Sequence, residues 1–390
     1  MNMAVKSLDQ IDLKGKRVLV RVDFNVPMND AGEITDDSRI RAALPTIQTL
    51  LENQCKMTLM SHLGRPKGQV NPKYSMAPVA TYLAKLLEQP VHLVTDFSDG
   101  GQHATVQLLE NLRFSPGETK NDAAFAKTLA AYGEVYINDA FGAAHRAHAS
   151  IAAVAELFSV KAAGHLLTKE LHYLKDALKA PERPFVAILG GSKISDKLKL
   201  IDNLLDKVDR LIIGGGMSYT FLKARGLEVG TSLVENDFLE EAKALEAKCE
   251  AKGVALTLPL DHLVAAEFKA DAAAEITLDA AIPEGYMGLD IGPETINLYA
   301  THVREAKTAV WNGPMGVFEW ETFATGTISV AEAMAENGGL TVIGGGDSVA
   351  AVNKVGLQAA MTHISTGGGA SLELLGGHDL PGVVALEVGE

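Results

Sequence analysis

The sequence predicts an α/β protein built from two doubly wound, parallel-sheet domains, and three observations carry that expectation. The chain has 390 residues, more than one hydrophobic core usually organises, so two domains are the default. Short apolar runs recur along it, each followed by polar or glycine-rich punctuation and then a helical stretch. Near its middle, a leucine-striped helix ends at a pair of prolines just before a new apolar run.

In chain order, the first-half runs are 17–22, 56–61, 91–94 and 135–138. Near-continuous apolar runs suit parallel strands buried on both faces, and alternation with helices implies right-handed crossovers. Leu166, Leu167, Leu171, Leu174 and Leu178 then recur at three- and four-residue intervals, as on one face of a helix. Pro181 and Pro184 stop that helix. As a connector it suits a lever or a rigid packed joint equally well. The second-half runs are 185–189, 210–213, 254–258, 308–311 and 340–343. Both halves therefore read as Rossmann-like, with ligands expected beyond the carboxyl ends of the strands.

Composition narrows the function. Hydrophobic residues make up 47% and charged residues 22% of the chain, the balance of a soluble globular protein. The net charge of −14 is uneven: residues 1–180 carry 20 Lys+Arg against 19 Asp+Glu, and residues 181–390 carry 15 against 30. Such acidity argues against a nucleic-acid partner, which wants a basic stripe. No apolar stretch approaches the ~20 residues that span a bilayer, so no membrane partner is expected. The opening MNMAVKSLDQIDLKGK has no apolar secretion segment. Cys55 and Cys249 are too few for a disulfide framework, lack metal-ligand spacing and read as small buried hydrophobes. A reduced, cytoplasmic enzyme is the expectation.

Arginines and glycine triplets occupy opposite halves. Arg17, Arg21, Arg39, Arg41, Arg65, Arg113 and Arg146 precede residue 150, whereas the triplets at 214–216, 344–346 and 367–369 follow residue 210. Arginine offers a planar fork of donors suited to carboxylate and phosphate. Glycine lets backbone N–H groups close around a polyphosphate. A small anion in one half and a nucleotide in the other point to group transfer.

In the first half, four strand ends each deliver polar groups. Arg21, Asp23 and Asn25 alternate onto one face before Pro27. Ser61-His62-Leu63-Gly64-Arg65-Pro66 ends the next run abruptly. Arg113 follows the apolar stretch at 108–109, and the segment 138–150 contains Arg146. One such arginine is a surface charge of little consequence; four on one sheet edge call for an anionic ligand.

In the second half, Gly190-Gly191-Ser192-Lys193-Ile194-Ser195-Asp196-Lys197 follows a strand and is expected to open a helix, with Lys193 and Lys197 on one face. Gly344-Gly345-Gly346-Asp347-Ser348 repeats the arrangement, and Asp347 suits either a magnesium ligand or a helix N-cap. Glu319, in Trp311-Asn312-Gly313-Pro314-Met315-Gly316-Val317-Phe318-Glu319, suits a ribose hydroxyl or is simply a solvated carboxylate. Neither G-x-G-x-x-G nor G-x-x-x-x-G-K-[ST] occurs. That disfavours the main alternative, a nicotinamide-dependent dehydrogenase, and removes a P-loop.

Taken together, RVDFNVP, SHLGRP, ENLRF, NDAFGAAHRAHAS, GGSKISDK, GGGM, WNGPMGVFE, GGGDS and STGGGASLELL resemble, in order, the signatures of the phosphoglycerate kinase family. The resemblance implies reversible in-line phosphoryl transfer from 1,3-bisphosphoglycerate to ADP, giving 3-phosphoglycerate and ATP in glycolysis, with Mg2+, in a monomer that closes about a hinge. It implies a 3-phosphoglycerate site of Asp23, Asn25, Arg39, His62, Leu63, Gly64, Arg65, Arg113 and Arg146. It further implies a nucleotide site of Gly191, Lys197, Gly215, Gly216, Leu289, Asn312, Glu319, Gly345, Gly346, Asp347 and Ser348. Asp347 is the implied metal ligand, and Arg39, Lys193 and Lys197 are the implied catalytic groups. Ser348 stands where many members have threonine, which keeps the hydroxyl. The implied domains are 1–170 with a returning tail at 372–390, a linker at 171–184, and 185–371.

Overall fold

The computed structural model describes residues 3–98, 100–101 and 104–389; the expected domain ends at residues 1, 2 and 390 lie outside them. Contacts divide the chain into two compact units, one of residues up to His172 together with those from Asp379, the other Tyr173–His378.

The first unit holds β1 (Met3–Val5), β2 (Arg17–Val22), β3 (Lys56–Met60), β4 (His92–Val94), β5 (Val106–Leu109), β6 (Val135–Asp139) and β7 (Lys161–Ala163). Six of these form a parallel sheet in the order β4-β5-β3-β2-β6-β7. All five residues of β6 are buried, as are all but the first of β2 and β3, which is why these runs read as apolar without alternation. Val18, Val20, Leu59, Ile137 and the helix residues Ile40, Ile47 and Leu83 build the core.

The second unit holds β8 (Phe185–Leu189), β9 (Arg210–Ile213), β10 (Ala255–Thr257), β11 (His262–Ala265), β12 (Ala274–Ile276), β13 (Met287–Ile291), β14 (Thr308–Asn312), β15 (Leu340–Gly344) and β16 (His363–Ile364). Its main sheet is parallel, β10-β9-β8-β14-β15-β16, packed around Trp311, Tyr299, Ile188 and Ile343. An antiparallel sheet, β12-β11-β13, is added to it. The sequence did not reveal this addition, because β12 is wholly exposed and β13 interrupts its apolar residues with Gly288 and Asp290.

The chain returns to the first unit at its end. β17 (Glu387–Gly389) pairs antiparallel with β1, and the carbonyl of Gly382 accepts from the Asn138 amide at 3.3 Å. Residues 372–378 pack with the second unit, where Asn203 donates to the carbonyl of Leu375. The leucine-striped segment is α-helical over His165–Leu171 and continues as a π-turn over His172–Asp176, so the division between units falls within it. Among the described residues, no helix is long and apolar enough to cross a membrane.

Two local expectations are corrected. The segment 190–197 leads into a helix but is not itself helical: the helix is Leu198–Leu204, with Lys197 as its N-cap. A remote carboxylate holds the segment as a turn: Glu235 accepts from the Ser195 amide at 3.1 Å and from its hydroxyl at 2.6 Å. Lys193 and Lys197 therefore share no helical face, and Lys193 is exposed while Lys197 is buried. Asp347 is not an N-cap. Gly345 takes that position for the helix Gly346–Lys354, and Asp347 lies in its first turn.

Candidate active-site residues

In the first unit, the polar segments leave β5, β3, β2 and β6, which are consecutive neighbours in the sheet. Parallel strands present their carboxyl ends on one edge, so these segments are adjacent. Asn25 accepts from the Gly64 amide at 2.8 Å, and Arg113 Nη1 donates to the Gly64 carbonyl at 2.7 Å. Asn111 Nδ2 donates to the carbonyl of Leu63 at 2.7 Å. Gly64 is thus gripped on both sides at φ +59°, and a Cβ there would strike the Tyr74 ring.

Asp23 is 8% exposed and accepts from Arg39 Nη1 at 3.0 Å, which aims this half-exposed arginine from the first turn of Ser38–Glu52. His62 is buried to 5%. Burial holds its ring well below the usual histidine range, helped by the positive fields of Arg21, Arg113, Arg146 and Arg39. Burial and the charges of Arg146 and Arg21 bring Arg113 down to about 10, and its Nε is buried without a partner among the described residues. Arg146 donates to His145 Nε2 at 3.0 Å. Arg65 is exposed, and among the described residues it has neither hydrogen bond nor ion pair.

Three groups here escaped the sequence-based site. Arg21 is fully buried and bonded to His62 Nδ1 at 3.0 Å and to Ser150 Oγ at 2.8 Å; its place on the binding face of β2 was the available signal. His148 is held down to about 4, first by burial and then by Arg113, Arg21 and Arg146. Glu118, fully buried, had no signal at all.

In the second unit, a cavity of about 550 Å³ opens beyond β8, β9, β14 and β15 and against the first residues of β13, within the range of small-molecule sites. Gly191, Gly215, Gly216, Leu289, Glu319 and Asp347 line it. Gly215 has φ +65°, and a Cβ there would lie 2.7 Å from both the Gly191 nitrogen and the Pro314 oxygen. The backbone approaches so closely that only glycine fits. An apolar wall of Tyr219, Leu233, Phe268, Met287, Leu289 and Val317 faces the same space. Of that wall, the sequence singled out Leu289 alone, because the others come from scattered segments. Phe268 is braced by Trp320, with ring centroids 4.6 Å apart.

Lys197, Asn312, Gly345, Gly346 and Ser348 are not among the lining residues. They organise its surroundings. Lys197 Nζ bonds to Asn312 Oδ1, and Ser348 Oγ accepts from the Gly313 amide at 2.6 Å. Asn312 Nδ2 is buried and unpaired among the described residues. Burial brings Lys197 down to about 8, against the opposing pull of Asp196 and Asp347.

A cluster of arginines around a buried histidine in the first unit suits an anion, and a glycine-walled, partly apolar cavity in the second suits a nucleotide. Comparison with known proteins decides the class: a family model described as phosphoglycerate kinase matches residues 8–378. The chain belongs to the phosphoglycerate kinase family. The phosphoglycerate kinase of Clostridium novyi is 56% identical over 396 aligned residues, covering 99% of each chain. The structure of phosphoglycerate kinase from Coxiella burnetii is 44% identical, with a TM-score of 0.92 over 98% of this chain and 99% of that one. The enzyme from Pyrococcus horikoshii is 32% identical, with a TM-score of 0.81 over 97% and 98%. The chain is accordingly a kinase of this family, a phosphotransferase with a carboxyl group as acceptor, and its two-domain α/β fold is the family's.

Proposed function

We propose that the chain carries out reversible phosphoryl transfer between 1,3-bisphosphoglycerate and ADP, with the arginine unit holding the three-carbon acid and the glycine-walled cavity holding the nucleotide. One observation carries the assignment of ligands to units. Four arginines converge on a neutral histidine in the first, whereas the second supplies peptide groups and an apolar wall fit for a base.

Phosphoryl transfer asks for alignment and charge neutralisation rather than covalent chemistry. An acyl phosphate is already a good donor, so no general base is required. In this reading Arg39 and Lys193 flank the transferring group and stabilise its equatorial oxygens. Lys197 faces the nucleotide phosphates, and Arg65, Arg113 and Arg146 orient the 3-phosphate and carboxylate with His62, Asp23 and Asn25. Transfer requires the ligands of the two units to meet with water excluded, which is the role proposed for hinge closure.

Mg2+ fits through Asp347. Among the described residues no group of three or more His, Cys, Asp or Glu could hold a metal ion. One carboxylate at the cavity with nucleotide phosphates supplying further oxygens is a usual magnesium arrangement. Bound there, the ion supplies charge neutralisation on the phosphates. A cytoplasmic monomer working on small molecules alone completes the reading. A coupled assay for ATP formation from 1,3-bisphosphoglycerate and ADP tests it: ATP is expected, and none from well-folded protein would refute it.

A further inference from the structure

The buried polar chain behind the arginine cluster runs Glu118–Ser150–Arg21–His62. It links the short helix Pro116–Thr119, the loop after β6, the end of β2 and the loop after β3. Ser150 Oγ donates to Glu118 Oε1 at 2.7 Å, and Ser150 N donates to Glu118 Oε2 at 3.0 Å. With its proton committed to the carboxylate, the hydroxyl offers a lone pair to Arg21 Nε, which donates to it at 2.8 Å. Arg21 Nη1 donates to the carbonyl of Val22. Arg21 Nη2 stands 3.0 Å from His62 Nδ1. Glu118, Ser150 and Arg21 have no solvent exposure.

A guanidinium has five donors and no acceptor. The Arg21–His62 contact therefore has one polarity: Nδ1 accepts. A proton on Nδ1 would set two donors against each other in a buried site, at the cost of a broken, desolvated hydrogen bond. His62 must be the neutral tautomer with its proton on Nε2, and among the described residues that atom has no protein partner.

We propose that Glu118, acting through Ser150 and Arg21, is a positioning residue that fixes His62 in the Nε2–H tautomer, so that the ring presents a hydrogen-bond donor to the acid ligand. This rests on the reading of the first unit as the acid site. The anionic end of the chain sets its direction. Glu118 orients the serine proton, the serine lone pair orients the guanidinium, and the guanidinium selects the tautomer. A structural ion pair alone would keep the fold but would not dictate which ring nitrogen carries the proton. His148 Nδ1 lies 3.7 Å from Glu118 Oε1, beyond a hydrogen bond, and its ring is held neutral by burial.

The experiment is imidazole 15N NMR of His62 in the ligand-free protein near neutral pH, for wild type, Ser150→Ala and Glu118→Gln. Wild type is expected to show a single Nε2–H tautomer, and both variants a mixture. KM for 3-phosphoglycerate should rise about tenfold in the variants, the effect of one weakened charge-assisted hydrogen bond, while KM for ATP stays within about twofold because the nucleotide site is untouched. A wild-type Nδ1–H tautomer overturns the proposal, and so does a variant that keeps the single Nε2–H form. If Glu118→Gln fails to fold, wild type and Ser150→Ala decide. A wild-type Nε2–H tautomer in a protein without kinase activity would refute the proposed function and leave the positioning chain standing.

Discussion

Around His62, positive charge comes from side chains: Arg21, Arg113, Arg146 and Arg39 all act on one buried ring. Around the cavity of the second unit, the walls include backbone at Gly191, Gly215 and Gly216, and a buried cation, Lys197, stands behind them on Asn312. The two solutions differ in how they respond to pH. Guanidinium groups stay charged, Arg113 even at its depressed value of about 10, and His62 is already neutral. Peptide N–H groups do not titrate either. Lys197, at about 8 and proposed to face the nucleotide phosphates, is placed to lose charge within an ordinary assay range. The side-chain cluster buys strong, directional charge at the cost of crowding like charges, whereas the backbone cradle gains close approach and leans on one sensitive lysine.

Three substitutions would break or sharpen that contrast, in order of expected effect. Arg39→Ala removes a half-exposed arginine aimed by Asp23 and should lower kcat by about 10²- to 10³-fold, the usual scale for one group that stabilises transition-state charge. Steady-state kinetics at saturating substrates would read it, and a near-normal kcat would remove Arg39 from the proposed chemistry.

The lysine predicts an asymmetry in pH. A depressed value means Lys197 is cationic below about 8 and neutral above it, so nucleotide affinity should be flat on the acid side and weaken as pH rises through that value. Bound phosphate, favouring the cation, raises the value in the complex, so the weakening begins near 8 and extends up to that higher value. Calorimetric titration with ADP across pH should show this weakening in wild type and its loss in Lys197→Met, while 3-phosphoglycerate affinity shows no matching step. Equal pH dependence for the two ligands would dissolve the contrast between units.

Glu319→Ala should have the smallest effect, raising the nucleotide KM about fivefold with kcat nearly unchanged, as for one exposed ligand hydrogen bond. A large kcat loss would show that Glu319 does more than hold the sugar.

How much was legible in the sequence follows the same division. Strands buried on both faces, such as β2, β8 and β9, were readable end to end because each stands as an apolar run before polar punctuation. The arginines were readable because parallel strands deliver their ends to one edge. The sheet β12-β11-β13 was not, since β12 is exposed and carries no periodic signal. The shared helical face expected for Lys193 and Lys197 failed because the helix starts only at Leu198, after a turn in which Glu235, remote in sequence, accepts from Ser195. Tyr219, Phe268 and Met287 meet at the cavity only through the fold. Glu118 and Ser150 gain meaning only once Arg21 is seen between them and His62.

The central claim is that the two ligands divide between the units, and backbone amide NMR with each ligand added alone tests it most directly. The account predicts that 3-phosphoglycerate perturbs the amides of Asn25, Gly64, Arg113 and Arg146, whereas MgADP perturbs those of Gly191, Gly215, Leu289 and Asp347. Strong perturbation of the Gly64 and Arg113 amides by MgADP, with the Gly191 and Gly215 amides silent, would contradict it.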